Sequence, residues 1–318
     1  MESFPPADTE EQYEALTEGR LRVPVERLCR ELGLYASPVR FADGSLPVYA
    51  VGDRHVLKLY PPAFAGEAKV ESTALRAVQG KLPIPTPAPE RVGEADGWEY
   101  LLMRRLTGVS LANVWPRLSV VDKQELAPRL GETLAALHRV TDPALADLEP
   151  RDWPGFIAAQ RASAVDRQRA AGLREEWLEQ IPCFLDSVDD AELGKPEPVL
   201  LHTEFMREHL LMTEGGTGWT VSGLFDFEPA MVGAPEYELV AVGLFVSCGD
   251  ADFLRALLLG YGYSADRLGE RLSRRLLAYT LLHRYANLPW FLSRLPAPPE
   301  PTLDALATTW FGTGSGVS

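Results

Sequence analysis

Cysteine is scarce in this 318-residue chain: Cys29, Cys183 and Cys248 lie far apart, with no CxxC or Cys/His spacing around them. That pattern speaks against a disulfide framework and a zinc site, and fits buried or incidental thiols in a reducing compartment. Positive charge is also short. Lys and Arg number 31 against 45 Asp and Glu, a formal charge of −14, which argues against a nucleic-acid partner because phosphate neutralisation needs clustered Lys and Arg. No apolar run approaches the roughly 20 residues of a membrane span; the longest, near Leu239–Cys248, reads as a core segment. The opening Met1-Glu2-Ser3-Phe4-Pro5-Pro6 has neither a basic stretch nor an apolar one, so a cytoplasmic, non-exported protein is expected. No repeat of about 20–50 residues is visible, which removes solenoids and propellers. What remains is ordinary globular composition, 46% apolar and 24% charged, in a chain long enough for a sizeable core.

Along the chain the hydrophobic period changes. Residues 1–20 are polar and acidic and are expected to form a loose arm. Val23–Leu34 reads as an amphipathic helix with Pro24 in its first turn. Short strands follow at Pro38–Phe41, Leu46–Val51 and His55–Tyr60, separated by the turn signals Asp43-Gly44 and Gly52-Asp53. Phe64–Val78 has helical spacing, the Pro-rich link Leu82–Pro87 interrupts it, and Trp98–Met103 is another strand. Beyond that point helical patterns dominate: Lys123–Val140 (kinked at Pro128 or starting near Ala127), Trp153–Asp186, Asp252–Leu259 and Leu268–Tyr285. One hairpin interrupts them, Leu210–Thr213 and Trp219–Phe227 around Gly215-Gly216-Thr217-Gly218. The pattern predicts an α+β plan in two lobes, a β-rich one over residues 1–105 and a mostly helical one over 106–318.

The chemistry-bearing stretch is His202-Thr203-Glu204-Phe205-Met206-Arg207-Glu208-His209, followed by Gly223-Leu224-Phe225-Asp226-Phe227-Glu228. A charged segment leads into one arm of the hairpin and an acid emerges from the other. That arrangement predicts Glu204, His209 and Asp226 at one mouth. Phosphoryl transfer asks for such a set: a carboxylate to orient and deprotonate a hydroxyl, and oxygen ligands for Mg2+.

These residues resemble the kinase catalytic loop H-x-D-x-x-x-x-N and the metal-binding Asp after it, in the form found in aminoglycoside phosphotransferases and choline-kinase-like enzymes. His202 matches the loop His, Glu204 the catalytic Asp, His209 the Asn and Asp226 the metal-binding Asp. Gly233-Ala234-Pro235-Glu236-Tyr237-Glu238-Leu239 resembles the family's G-D-P-x-x-D-L, with Glu238 for its last Asp. The resemblance implies a two-lobed protein-kinase-like fold, with Lys58 on the α- and β-phosphates of ATP or GTP and Glu71 as its ion-pair partner. It puts Gly44 and Ser45 in the phosphate-covering loop, although no G-x-G-x-x-G is present. It puts the adenine-binding hinge at Met103, Arg104 and Leu106. Leu134-Ala135-Ala136-Leu137-His138 resembles the family's structural helix. Among these kinases the closest look is to hygromycin B phosphotransferases, from Leu276–His283 and Trp310-Phe311-Gly312.

Several residues carry two readings. Arg207 is either a surface residue or a positive charge beside the γ-phosphate. His202 braces the loop through its ring nitrogens, and His138 packs; His55 and His283 have no assigned role. The acids of Asp186–Glu192, and Glu228 with Glu236, are candidates for receiving substrate ammonium groups. Glu204 keeps the charge of the expected Asp but adds a methylene, and misplacement by about 1 Å costs on the order of 10²-fold in rate. His209 offers Mg2+ a nitrogen where oxygen is preferred, so either other groups hold a second metal or His209 partners Glu204. The expectation is a Mg2+-dependent kinase passing the γ-phosphate of ATP or GTP to a hydroxyl of a cationic small molecule, an aminoglycoside such as hygromycin B. The alternative is a pseudokinase-like nucleotide-binding module without transfer.

Overall fold

A computed structural model describes residues 3–188, 193, 196–216 and 218–314. Its first sheet is antiparallel and holds β1 (Pro38–Arg40), β2 (Val48–Val51), β3 (His55–Tyr60), β4 (Pro89–Ala95) and β5 (Trp98–Arg104), in the order β1-β2-β3-β5-β4. Strand period dictates what each face buries. Leu57 and Leu59, with Tyr49, Trp98, Tyr100 and Leu102, form an apolar layer with Leu21, Val25 and Leu28. The alternate residues Tyr60, Leu101 and Met103 join a second core with Ala74, Leu75 and Val78. The first trio lies on α2 (Glu18–Glu31), which follows the short α1 (Glu10–Glu14), and the second on α3 (Glu67–Val78). Lys58 shares the parity of Tyr60, on the face toward α3.

The structure differs from the sequence expectation in four places. Of the segment 1–20 expected to be a loose arm, residues 3–20 are not one: Phe4 and Ala7 are buried, and Phe4 stacks on Trp98 with ring centroids 5.3 Å apart. The Trp98 indole N–H donates to the Pro5 carbonyl at 2.9 Å, and the Ala63 N–H donates to Ala7 at 2.9 Å. The helix expected from Val23 starts at Glu18, so Pro24 lies inside it rather than in its first turn; the stripe Leu21, Val25, Leu28 carries the extra turn. Strand β4 was not expected, although Asp96-Gly97, both at positive φ, is the hairpin signal that joins it to β5. The helix expected to kink or start at Pro128 is α4 (Val120–His138), which begins at a Ser119–Asp122 capping box and continues through the proline.

The second lobe is mostly helical, so the two-lobed α+β reading holds. It includes α4, α5 (Trp153–Ala170), α6 (Pro235–Ala241), α7 (Ala251–Tyr261), α8 (Glu270–Leu282) and α9 (Leu303–Phe311). The apolar run Leu239–Cys248 is core, as α6 passes into a π-helical segment at Val242–Ser247. Among the described residues no helix is long and apolar enough to cross a membrane. Two small sheets position the site. β7 (Val199–Leu201) pairs antiparallel with β10 (Met231–Gly233), and β6 (Val109–Ser110), β8 (Leu210–Gly215) and β9 (Gly218–Leu224) form the other in the order β6-β8-β9. The loop leaving β7 and the loop leaving β9 therefore emerge side by side.

Two outcomes follow. Phe4→Ala should lower unfolding free energy by about 3 kcal/mol, as for a core aromatic, where a loose arm would give almost none; urea denaturation measures it. Helices α4 and α7 meet at glycine: a Cβ on Gly131 would lie 2.0 Å from the Leu257 carbonyl oxygen. Gly131→Ala gains about 1 kcal/mol of helix propensity but overpacks against backbone at about 1–3 kcal/mol, so the variant should be less stable in the same measurement.

Candidate active site

The centre of the cleft is a buried ammonium. Lys58 Nζ lies 2.8 Å from Glu71, 2.6 Å from Asp226 and 2.8 Å from Glu228, with 5% of its side chain exposed. Burial pulls the lysine pKa down, but Glu71, Asp226 and Glu228 outweigh it and hold the ammonium well above its ordinary range. Glu71 does more than pair with the lysine. It also accepts the Tyr60 hydroxyl and the Phe227 N–H, the latter at 3.3 Å. A strand, a helix and the loop after β9 thus meet at one carboxylate.

Asp226 sits at φ +71° and Thr203 at φ +68°. Left-handed backbone is uncommon outside glycine and an outlier for a β-branched residue, and costs about 1–3 kcal/mol unless its surroundings enforce it. Here they do. Asp226 is held by Lys58; burial would raise its carboxyl pKa, but Lys58 and the His209 ring bring it to about 2. The Thr203 N–H donates to Glu238 at 3.0 Å and its hydroxyl to the Pro229 carbonyl at 3.1 Å.

His202 links the two loops from below. Its Nδ1 accepts the Glu204 N–H at 3.3 Å, and its Nε2 donates to the Phe225 carbonyl at 2.9 Å. Burial pushes its pKa down to about 3, so the ring is neutral with its proton on Nε2. Glu238, fully buried on α6, accepts the N–H groups of His202 and Thr203, and burial pushes its carboxyl up to about 7.

Above this base lie Glu204 and His209. The Glu204 carboxylate is 3.8 Å from His209 Nδ1, and burial raises its pKa against the pull of His209. His209 Nδ1 also lies 3.0 Å from the Glu204 carbonyl oxygen, and Nε2 lies 3.3 Å from Asp226 Oδ2. Donor atoms of Glu204, His209 and Asp226 fall within 4.8 Å of one another, as do those of Glu71, Asp226 and Glu228.

Other expected residues fall elsewhere. The Arg207 guanidinium binds the Val246 carbonyl and lies over the Trp115 ring at 3.4 Å; it clamps the π-helical segment and contacts neither Glu204 nor Asp226. Gly44, at φ +112°, and Ser45 lie in the loop between β1 and β2, where the Ser45 carbonyl accepts the Tyr13 hydroxyl. Met103 is buried on β5. Arg104 and Arg105 donate their N–H groups internally, to Ala88 and Arg54 at 2.9 Å each. Leu106 packs on Gly223, where a Cβ would come within 2.6 Å.

The acids expected to receive ammonium groups are otherwise engaged. Glu228 holds Lys58, Glu236 pairs with Arg275 at 3.2 Å and accepts the Tyr263 hydroxyl at 3.2 Å, and Asp186 pairs with Arg161 at 2.7 Å. Residues 189–192 of that acidic run lie outside the described residues. Glu228 on the lysine and Glu238 under the loop are the two site roles that the sequence expectation lacked. The first had a signal, two residues beyond Asp226 in the same segment; the second stood at the family's final Asp position without a stated role.

The model of the phosphotransferase enzyme family matches residues 38–276. Wild-type aminoglycoside 2'-phosphotransferase-IIIa in its GDP complex is similar in structure, with a TM-score of 0.69 at 17% identity, covering 87% of this chain and 96% of that one. The streptomycin–ATP complex of APH(2'')-IIa superposes with a TM-score of 0.61 at 17% identity, covering 93% and 99%. These likenesses speak for the fold. Among curated proteins, lysine-specific demethylase JMJ21 of Arabidopsis thaliana is 26% identical over 218 residues, 55% of this chain but 23% of that protein. The chain thus spans about a quarter of that relative's length.

The Glu238 carboxyl has a pH consequence. Its folded pKa of about 7 stands above the ordinary 4.5, so the folded chain binds the extra proton and stability is lost as pH rises through that window. Glu238→Gln keeps an acceptor and removes the titration. Relative to the parent, the variant should gain about 2–3 kcal/mol between pH 5 and pH 8, read from denaturant unfolding at each pH; a constant difference would contradict the assignment.

Proposed function

The chain belongs to the phosphotransferase enzyme family, and on that premise we propose that it transfers the γ-phosphate of ATP or GTP to a hydroxyl of a small polar molecule. The observation that carries the reading is the Lys58 ammonium, pinned by Glu71 of α3 beside Asp226. Lys58 grips the nucleotide phosphates, beneath the loop carrying Gly44 and Ser45. The base rests near Met103, Arg104 and Leu106. Glu204 orients the acceptor hydroxyl and takes its proton as the new bond forms.

Asp226 and Glu204 offer oxygens suited to a divalent cation, whereas the nitrogen of His209 is a donor that Mg2+ does not favour. A cation bound there supplies charge neutralisation on the phosphate oxygens. The rest falls to the chain's own groups. His202 and Glu238 hold the loop so that Glu204 meets the hydroxyl within hydrogen-bond reach, and burial keeps its carboxylate basic. The acceptor is an amine-bearing hydroxyl compound, with an aminoglycoside such as hygromycin B as first choice; the charge of −14 favours cations at long range. Because Glu228 and Glu236 have internal partners, amine recognition rests on other groups around the mouth.

A second reading, nucleotide binding without transfer, is motivated by Glu204 and His209 at positions where the resemblance expects Asp and Asn. Incubation with labelled ATP or GTP and a panel of aminoglycosides and amino alcohols separates the two. Transfer that Asp226→Ala abolishes supports the kinase reading; thermal stabilisation by nucleotide with no turnover supports the second; neither effect refutes both. If Glu204 takes the proton, Glu204→Gln should lower kcat by on the order of 10²-fold or more with nucleotide affinity little changed.

A further inference from the structure

We propose that Tyr13 is a positioning residue for the nucleotide phosphates, its hydroxyl fixing the loop that carries Gly44 and Ser45 so that the loop offers them a backbone donor. The inference deepens the kinase reading, on which it rests, and gives the N-terminal segment a part in the site.

The loop has two fixed ends. At the first, the Phe41 N–H donates to the Val48 carbonyl at 2.9 Å. At the second, Leu46 is buried and the Leu59 N–H donates to the Pro47 carbonyl at 3.0 Å. Val48, just beyond, pairs in register with Lys58, so this end is set on the strand that carries the buried ammonium. Between the ends Gly44 turns the chain at φ +112°, a region that glycine enters freely. A tip with that freedom has to be ordered when a ligand arrives, which subtracts from affinity.

The N-terminal segment supplies an anchor for the tip. The Tyr13 hydroxyl, on α1, donates to the Ser45 carbonyl. Its ring is held for this by edge-on contacts with Phe64 and Trp98, centroids 5.7 and 6.5 Å away. Glu18, at the start of α2, holds Arg40 at 2.8 Å, the last residue of β1 before the loop. One short stretch of chain thus grips the loop at two points. A trans peptide directs its carbonyl and its N–H oppositely. With the Ser45 carbonyl drawn to Tyr13, the Leu46 N–H of the same peptide faces away from the arm, and successive N–H groups in such a loop are the donors a phosphate oxygen takes. The same segment also reaches the chain just ahead of the helix bearing Glu71, where the Ala63 N–H donates to Ala7 at 2.9 Å. Tyr13 lies before residue 38, where the match to the family begins.

Tyr13→Phe in the full chain tests this, since it keeps the ring contacts and removes only the donor. Calorimetric titration with ATP and with GTP, MgCl2 present, should show the variant binding nucleotide roughly 2–10-fold more weakly, the span of one hydrogen bond. Hydrogen exchange over residues 42–47 should be faster in the variant and return toward the parent rate at saturating nucleotide. With any acceptor that turns over, KM for the nucleotide should rise by the same factor while kcat holds. Gly131→Ala, destabilised in the other lobe, controls for stability alone and should bind nucleotide as the parent does. Equal nucleotide affinity in parent and Tyr13→Phe overturns the inference. So does weaker binding with unchanged exchange, which makes the tyrosine a direct contact of the nucleotide. Both results leave the kinase reading standing, whereas a parent that binds neither nucleotide sinks that reading and this inference with it.

Discussion

One buried ammonium organises the cleft. Taking Lys58 and its partners out of water costs several kcal/mol per ion, and a single carboxylate at 2.8 Å would scarcely recover it. Three do, from two parts of the chain: Glu71 on α3, and Asp226 and Glu228 on the loop after β9. The cluster therefore ties the two lobes by charge, beside the apolar core that holds residues of both. Losing the lysine would leave three carboxylates facing one another without their cation, the costly case for a buried ion pair.

The loops that reach this cluster are built for fixed geometry. Neutral His202 bridges them with both ring nitrogens, and Glu238 gathers two N–H groups that no regular element satisfies. Those bonds keep Thr203 and Asp226 in backbone conformations that neither residue favours. Strain at the site is thus balanced by polar contacts beneath it, which is why a carboxyl as deeply buried as Glu238 belongs to the working part of the molecule. Arg207 serves the same frame from the side, through the Val246 carbonyl and the Trp115 ring.

Much of this was legible in the residues. The strand bearing Lys58, the helix bearing Glu71 and the hairpin that aims Asp226 follow from period and turn chemistry, which are local. The misreadings concern partners distant in sequence. Nothing near Phe4 announces that it will stack on Trp98; that contact depends on the whole sheet being in place. Glu228 looked like a free acid because its cation comes from β3. Arg207 had two open readings until the π-helical segment supplied an acceptor. Strand β4 was different, since Asp96-Gly97 marked it and its weakly apolar edge-strand pattern, Pro89–Ala95, hid it.

The alternation along β3 has one more consequence. Six residues, His55–Tyr60, hold the buried Lys58 ammonium on one side and two fully buried leucines on the other. Inserting or deleting a single residue would exchange the sides, driving an ammonium into the layer under Phe4 and Trp98 and a leucine into the cleft. A change of length in this lobe is therefore tolerable only in the turns, such as the one bearing Gly44. Across related sequences the interval between the Gly52 turn and the lysine should be the most invariant spacing in the lobe, while the neighbouring loops drift freely.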